Sequence, residues 1–222
     1  MGFFRELRKG RIGKFGNSMD TFLQRIGCYI HFYYFDHGWI RALYDNYCIV
    51  DQRLHRSSQP SYYTLKKAQK LGVTQVISFR NPGKISYQLL EERWVSELGL
   101  KLHSKQLSAT EIATPETYVE IFDLIEKNDG KTLVHCKSGA DRTGLFSGIY
   151  VAWSRSQTGL RSGDMLHWKF GHIGLGKKSI NKVFLDVFKQ TCDENEGSLN
   201  QLLSRAQSEL RSSLQVSFHD KQ

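Results

Sequence analysis

Two spacings of hydrophobic residues alternate along this 222-residue chain, and together they outline its elements. Cys48 to His55 is β-rich and predicts a strand. After Pro60, Leu65, Ala68 and Leu71 fall on one helical face, and Gly72 stands just past its end. Val73 to Phe79 predicts the next strand. A helix over 88–98 follows, with Leu89, Leu90, Trp94 and Leu98 apolar and Gly99 as its stop. Leu100 to Gln106 alternates apolar and polar, the period of a strand. Thr114 is placed to cap a helix with Pro115 in its first turn, and Val119, Phe122 and either Leu124 or Ile125 form its buried stripe. Asn128-Asp-Gly130 turns the chain into a strand from Thr132 to His135. A helix from near Arg142 to about Arg155 carries Leu145, Ile149 and Ala152, and two or three further helices follow.

Strands and helices in this alternation imply an α/β fold of three layers, with a central, mostly parallel sheet of four or five strands between helices. Ligands of such sheets bind beyond the carboxyl ends of the strands. The chain divides into a basic and aromatic N-terminal extension over 1–45, a central domain over 46–192, and a C-terminal helix and tail over 193–222. In that last part Leu199, Leu202, Leu203, Ala206 and Leu210 recur at helical spacing.

Composition adds a formal net charge of +9, which points to an anionic partner. Arg5, Arg8, Lys9, Arg11 and Lys14 face only Glu6, and Phe3, Phe4, Leu7, Ile12 and Phe15 interleave with them. Segment 1–16 is therefore a candidate contact for an anionic membrane surface. Gly10, Gly13 and Gly16 weaken any helix there, and a docked or unstructured arm fits the same residues. The aromatic-rich run Tyr29 to Arg41 fits a membrane-facing rim or packing of the extension on the core. Nucleic acid is a poor partner, because no binding motif accompanies the charge. No apolar run approaches a membrane span or a secretory leader. Cys28, Cys48, Cys136 and Cys192 are too widely spaced for a zinc site or a disulfide framework. These features suit a cytoplasmic location, peripheral at a membrane if segment 1–16 binds one.

The chemistry concentrates in Lys131-Thr-Leu-Val-His-Cys-Lys-Ser-Gly-Ala-Asp-Arg-Thr-Gly144, a strand that runs into a tight loop and then a helix. Gly139 lets the backbone curl. A loop curled in this way turns successive N–H groups inward and abuts a helix N-terminus, making an anion cradle. Lys137, Ser138, Gly139 and Ala140 line it, with Cys136 at its base. A free thiol titrates near about 8.5, and a helix N-terminus with nearby cations lowers that to roughly 3.5–7.5. Arg142 offers a planar fork of donors suited to two phosphate oxygens at once. Thr143 is placed to stabilise the thiolate and help it leave. His135 is expected to orient the loop, and Gly144 to let the new helix pack tightly on the sheet.

His-Cys-x5-Arg-Thr-Gly resembles the signature of the cysteine-based protein tyrosine phosphatase superfamily, in particular its compact dual-specificity branch. Arg56-Ser-Ser-Gln-Pro60, Gly72 to Arg80 and Glu91 to Gly99 resemble the order of elements in small bacterial dual-specificity-like phosphatases, and the likeness covers about residues 48–190. The resemblance implies a dual-specificity phosphatase-like fold and a metal-free, cofactor-free reaction in which Cys136 attacks phosphorus while Arg142 and the loop amides hold the oxygens.

Relatives commonly carry an acid Asp on a loop before the helix that precedes the cysteine strand. The corresponding segment, Gln106 to Pro115, has Glu111 as its only carboxyl group. Asp141, inside the loop, resembles the loop-borne Asp of some lipid-directed members. Asp141 is the preferred general acid and Glu111 the alternative. Arg80, at a strand's carboxyl end, is a further candidate for substrate binding, with a salt bridge at the sheet edge as its other reading. Arg56 has the weaker functional case. His167, His172, Lys177 and Lys178 read as surface or helix-packing residues.

These residues imply a phosphomonoester hydrolase acting on a phosphorylated substrate. Lys137, an added cation like that of phosphoinositide-directed relatives, and the basic N-terminus lean toward a lipid or lipid-headgroup phosphate. A protein tyrosine or dual-specificity phosphatase is the alternative. An inactive phosphate-binding module is the alternative of another class, and a sulfurtransferase would have no need of Arg142 and Thr143.

Overall fold

The computed structural model describes residues 15–154, 161–173 and 179–219. Residues 1–14, which carry the basic cluster considered for membrane contact, lie outside these, as do Arg155, Lys177 and Lys178.

Five strands form one sheet: β1 (Cys48–Ile49), β2 (Leu54–Ser57), β3 (Val73–Ser78), β4 (Lys101–Ser104) and β5 (Lys131–His135). Their spatial order is β1-β2-β5-β3-β4, with β1 antiparallel and the others parallel. The parallel strands end level with one another, Ser57 and Ser78 both opposite His135. The crevice beyond these carboxyl ends is where the chain after His135 emerges.

Helices cover both faces. On one side lie α1 (Phe22–Ile30), α3 (Tyr62–Lys70) and α4 (Ser86–Glu97). Their Cys28, Leu65, Ala68, Leu90 and Trp94 close over Val76 and Leu133 of the sheet. A short helix, α2 (Gly38–Leu43), follows a single π-turn over His31–Phe35. On the other side α5 (Pro115–Glu126), α6 (Asp141–Ser154), α7 (Ser179–Glu194) and α8 (Leu199–His219) share a core with Leu54, Ile77 and Val134. Leu199, Leu202, Leu203, Ala206 and Leu210 are all buried there, so α8 belongs to the main core. None of the described helices is long and apolar enough to cross a membrane.

Local chemistry explains the boundaries. The Ser61 hydroxyl accepts the Thr64 N–H at 3.2 Å and starts α3. Gly72 ends it with φ +91°, a conformation open mainly to glycine. The single strand expected over Cys48–His55 is instead a hairpin. Asp51 turns it, because its carboxylate accepts the N–H groups of Arg53 and Leu54 at 2.8 and 2.7 Å. The stripe of α5 also differs from expectation: Tyr118, Ile121, Phe122 and Ile125 are buried, while Val119 and Leu124 are only partly so. Phe122 joins a ring relay through Phe146 to Phe79, with centroids 5.5 and 5.2 Å apart.

Gly144 was expected to bring α6 close to the sheet, yet the close approach is elsewhere. A Cβ on Gly144 would lie 2.7 Å from the Met165 carbonyl oxygen and 2.8 Å from a Leu166 methyl. The partner is the 3₁₀ turn Ser162–Leu166, which presses backbone to backbone on α6. Gly144→Ala is therefore expected to cost about 1–3 kcal/mol through overpacking, read as a lower midpoint in urea unfolding with an unchanged slope.

Candidate active site

β5 ends at His135, and Cys136 follows it almost fully buried. The loop then curls over residues 137–140 before α6 opens at Asp141. Gly139 has φ +73°, and a Cβ there would meet the Ser57 carbonyl oxygen and Ser58 nitrogen at 2.8 Å. No other residue fits that point without moving the β2 end of the sheet.

Three successive loop carbonyls are held from outside. Lys137 O accepts the Gln59 N–H at 3.1 Å. Ser138 O accepts from Asn46 Nδ2 at 2.6 Å. Gly139 O accepts from the Arg56 guanidinium. In a planar trans peptide the N–H points opposite to the preceding carbonyl, so the amides of Ser138, Gly139 and Ala140 turn toward the loop's interior. The Gly139 N–H donates to Cys136 Sγ at 3.3 Å. The Ala140 N–H donates to Ser138 Oγ, also at 3.3 Å.

Burial on its own would raise the Cys136 thiol. The Arg142 charge, the Thr143 hydroxyl and amide, and the Gly139 amide outweigh it, and the net shift is downward. The Thr143 hydroxyl is buried and committed to no other partner. Arg142 is anchored by donating to Phe79 O at 3.0 Å, at the end of β3, a bond that uses one of its five N–H groups. His135 precedes Cys136, with Nε2 2.6 Å from Glu91 Oε1 of α4 and Nδ1 3.3 Å from Cys136 O. Both His135 and Glu91 are wholly buried, a geometry that holds the Cys136 carbonyl in place.

The two acid candidates are set apart. Asp141 is buried in the first turn of α6, with Oδ1 accepting from His172 Nδ1 at 2.9 Å. His172 is thus a buried partner of the loop, where a surface or packing role was expected. Glu111 is exposed and borders a groove with Ile112, Ile180, Gln207 and Arg211. Its segment is tied to the last two helices, Asn181 donating to Ala109 O at 3.1 Å and Gln207 to Ala113 O at 2.7 Å.

Lys137 and Arg80 converge on a residue from the N-terminal extension. Asp36 takes Arg80 in a bidentate grip at 2.9 and 3.0 Å, Arg41 at 2.8 Å and Lys137 at 3.0 Å. Arg80 also donates to Gln59 Oε1 at 3.0 Å and stacks on Tyr87 with its guanidinium 3.3 Å from the ring centroid. Its salt-bridge reading describes this geometry. Burial would raise the Asp36 carboxyl, but Arg80 above all, with Arg41 and Lys137, holds it well below the usual carboxylate range.

Arg56, Asn46, Gln59 and Asp36 are the members that sequence reasoning missed or ranked low. Arg56 is fully buried, donates also to Met165 O at 2.8 Å, and stacks on Phe170 at 4.1 Å. Burial lowers its pKa to about 10, so it stays cationic at neutral pH. The available signal was the polar run His55-Arg-Ser in β2, a strand paired on both sides and buried along its whole length, where apolar residues are the rule. Asn46 sits at φ +52°, a conformation asparagine tolerates, and bridges Ser138 O to Phe170 O.

Two outcomes follow from this geometry. Alkylation of Cys136 by iodoacetate should have a pH midpoint below the ordinary thiol value of about 8.5, and Thr143→Val should move it up by roughly one unit. Asn46→Ala should lower kcat about tenfold or more by freeing the Ser138 carbonyl, with orphaning of a buried carbonyl costing about 1–3 kcal/mol. Steady-state kinetics beside urea unfolding would separate the two effects.

Comparison with known proteins agrees with this geometry. A family model described as the tyrosine phosphatase family matches residues 36–153, more than half of the chain. The dual specificity protein phosphatase TpbA of Pseudomonas aeruginosa is 29% identical over 122 residues, 53% of this chain and 52% of that protein. The chain thus spans about half the length of this curated relative. The crystal structure of P. aeruginosa TpbA superposes with a TM-score of 0.50 at 19% identity, covering 74% of this chain and 92% of that one. The core catalytic domain of the PP-IP phosphatase SIW14 from S. cerevisiae gives 0.52 at 16% identity, over 72% of this chain and 92% of that one. A putative phosphatase from Shewanella putrefaciens gives 0.53 at 16%, over 77% and 95%. At these identities the solved structures speak for the fold, a mostly parallel sheet between helices as in dual-specificity-like phosphatases. With the model match spanning both the Asp36 cluster and the Cys136 loop, the chain belongs to the tyrosine phosphatase family.

Proposed function

We propose that this chain hydrolyses phosphomonoesters through a phosphocysteine on Cys136. The observation that carries the proposal is the Cys136 sulfur at the base of a loop whose amides face inward, accepting the Gly139 N–H at 3.3 Å with Arg142 beside it. In the first step the thiolate attacks phosphorus, an S–P bond forms and the P–O bond to the leaving group breaks. Asp141, protonated, gives its proton to the departing alkoxide. In the second step Asp141 takes a proton from water, the water oxygen attacks phosphorus, and the thiolate leaves with Thr143 stabilising it. Arg142 and the amides hold the equatorial oxygens throughout, where preorganised donors contribute most. Asp141 is favoured over Glu111 because it is buried where the loop enters α6, whereas Glu111 is exposed beside the C-terminal helices.

For substrate, the reading extends to a lipid or lipid-headgroup phosphate. Three cations meet one carboxylate around Asp36, an excess of two positive charges beside the loop, which suits a polyanionic headgroup. A tyrosine or dual-specificity protein phosphatase is the second reading. It is supported by the similarity to TpbA, a form of which was crystallised in complex with pTyr.

Hydrolysis of para-nitrophenyl phosphate should be measurable and abolished by Cys136→Ser; an inert wild-type protein would leave a phosphate-binding module. Asp141→Asn should remove the limb of the kcat–pH profile that falls at high pH, because that limb reports loss of the acid's proton. If Glu111→Gln removes it instead, the acid assignment moves. Phosphate release from phosphatidic acid and phosphoinositide vesicles should exceed release from phosphotyrosine and phosphoserine peptides. Rapid peptide turnover with inert lipids would favour the protein reading.

A further inference from the structure

The inner side of the segment before the sheet is explained by packing, but its outer side is not. Cys28 and Phe32 are buried against Trp94 and its neighbours. Outward, Leu23 is 77% exposed, Tyr34 71%, Trp39 53% and Leu43 84%. Phe22, Ile26 and Ile30 continue the same side of α1 and are exposed as well. Tyr34 and Trp39 border a shallow groove with Tyr29, Ile30 and Tyr33. So many exposed large apolar side chains within one stretch mark an interaction surface.

Charge indicates what covers it. Between residues 21 and 44 the only carboxylate is Asp36, buried under its three cations. α3 contains Lys66, Lys67 and Lys70 and no acidic residue. It adjoins that segment, since Tyr62 at its start packs against the same buried cluster as Tyr29 and Tyr33. In sequence the stretch follows five bases, Arg5, Arg8, Lys9, Arg11 and Lys14. A face rich in Trp and Tyr, poor in exposed carboxylates and edged with lysine matches the interfacial zone of an anionic bilayer.

We propose that the outer face of α1 and α2, edged by the lysines of α3, docks on an anionic membrane surface. Asp36 lies at the end of the π-turn between the two helices and also holds Lys137 of the loop. The docking face and the phosphate loop therefore meet at one residue, and a docked protein carries its loop beside the headgroups. The inference deepens the lipid reading of this site, and its test is read without turnover.

The full chain would be sedimented with phosphatidylcholine vesicles, with and without phosphatidylglycerol, neither lipid bearing a phosphomonoester. Binding is expected only with phosphatidylglycerol and should weaken as salt rises. Combined Leu23→Ser, Trp39→Ser and Leu43→Ser should weaken it about tenfold or more, as should combined Lys66→Gln, Lys67→Gln and Lys70→Gln. Unchanged para-nitrophenyl phosphate turnover would show that both variants remain folded. No binding by the wild-type chain at low salt, equal binding by the variants, or loss of binding only on deleting residues 1–14 would overturn the proposal. So would a wild-type dimer that the apolar triple variant converts to monomer, which would assign the face to a second copy. Docking without phosphate release from phosphatidic acid in the same vesicles would leave the face standing and remove the lipid-substrate reading.

Discussion

The outward pull on three consecutive carbonyls is the constraint on which the site depends. Gln59, Asn46 and Arg56 hold the oxygens of Lys137, Ser138 and Gly139. Peptide planarity converts that into amides facing in. Left to itself, so short a loop would expose its N–H groups to solvent in many arrangements, and ordering each residue's backbone costs about 1–2 kcal/mol. Here the donors come from β2 and from the segments flanking the β1–β2 hairpin, all anchored in the sheet, so the ordering is settled by the fold before any phosphate arrives. Electrostatic preorganisation of this kind needs no rearrangement during reaction.

Burying charge to achieve it has a cost, and the partners show how that cost is met. Arg56 has two backbone carbonyls, the Phe170 ring and the nearby Cys136 sulfur around it. Replacing it would take that donor from both oxygens. His135 and Glu91 form a second buried polar pair next to Cys136. Asp36 ties Arg41, Arg80 and Lys137 into a third. These groups fix the loop relative to α4, β3 and the N-terminal segment, so three separate parts of the chain converge on one cradle.

The loop that forms the candidate site was legible because it is local: Cys136, Arg142 and Thr143 lie within one strand–loop–helix unit whose spacing is itself the message. The alternation of β-rich and helical segments likewise exposed the layered sheet. What stayed hidden is long-range. Arg56 and Gly139 are 83 residues apart, Asn46 and Ser138 are 92 apart, and no periodicity links them. Asp36 fell in a segment that aromatic density marked as an extension, which concealed its grip on Arg80 and Lys137. The hairpin at Cys48 was missed because one side chain, Asp51, makes the turn within an otherwise continuous β-rich run. Gly144 was read correctly as a close-contact position but assigned the wrong neighbour, since the 3₁₀ turn at Met165 leaves no mark in the pattern.

A structure of the wild-type chain with tungstate, a tetrahedral oxyanion able to imitate the phosphoryl group, tests the account most directly. The account predicts the metal atom facing Cys136 Sγ, with its oxygens within hydrogen-bond distance of the loop amides and of Arg142, and the three outward carbonyl bonds unbroken. Tungstate held elsewhere, or a loop that turns carbonyls rather than amides toward it, would contradict the account.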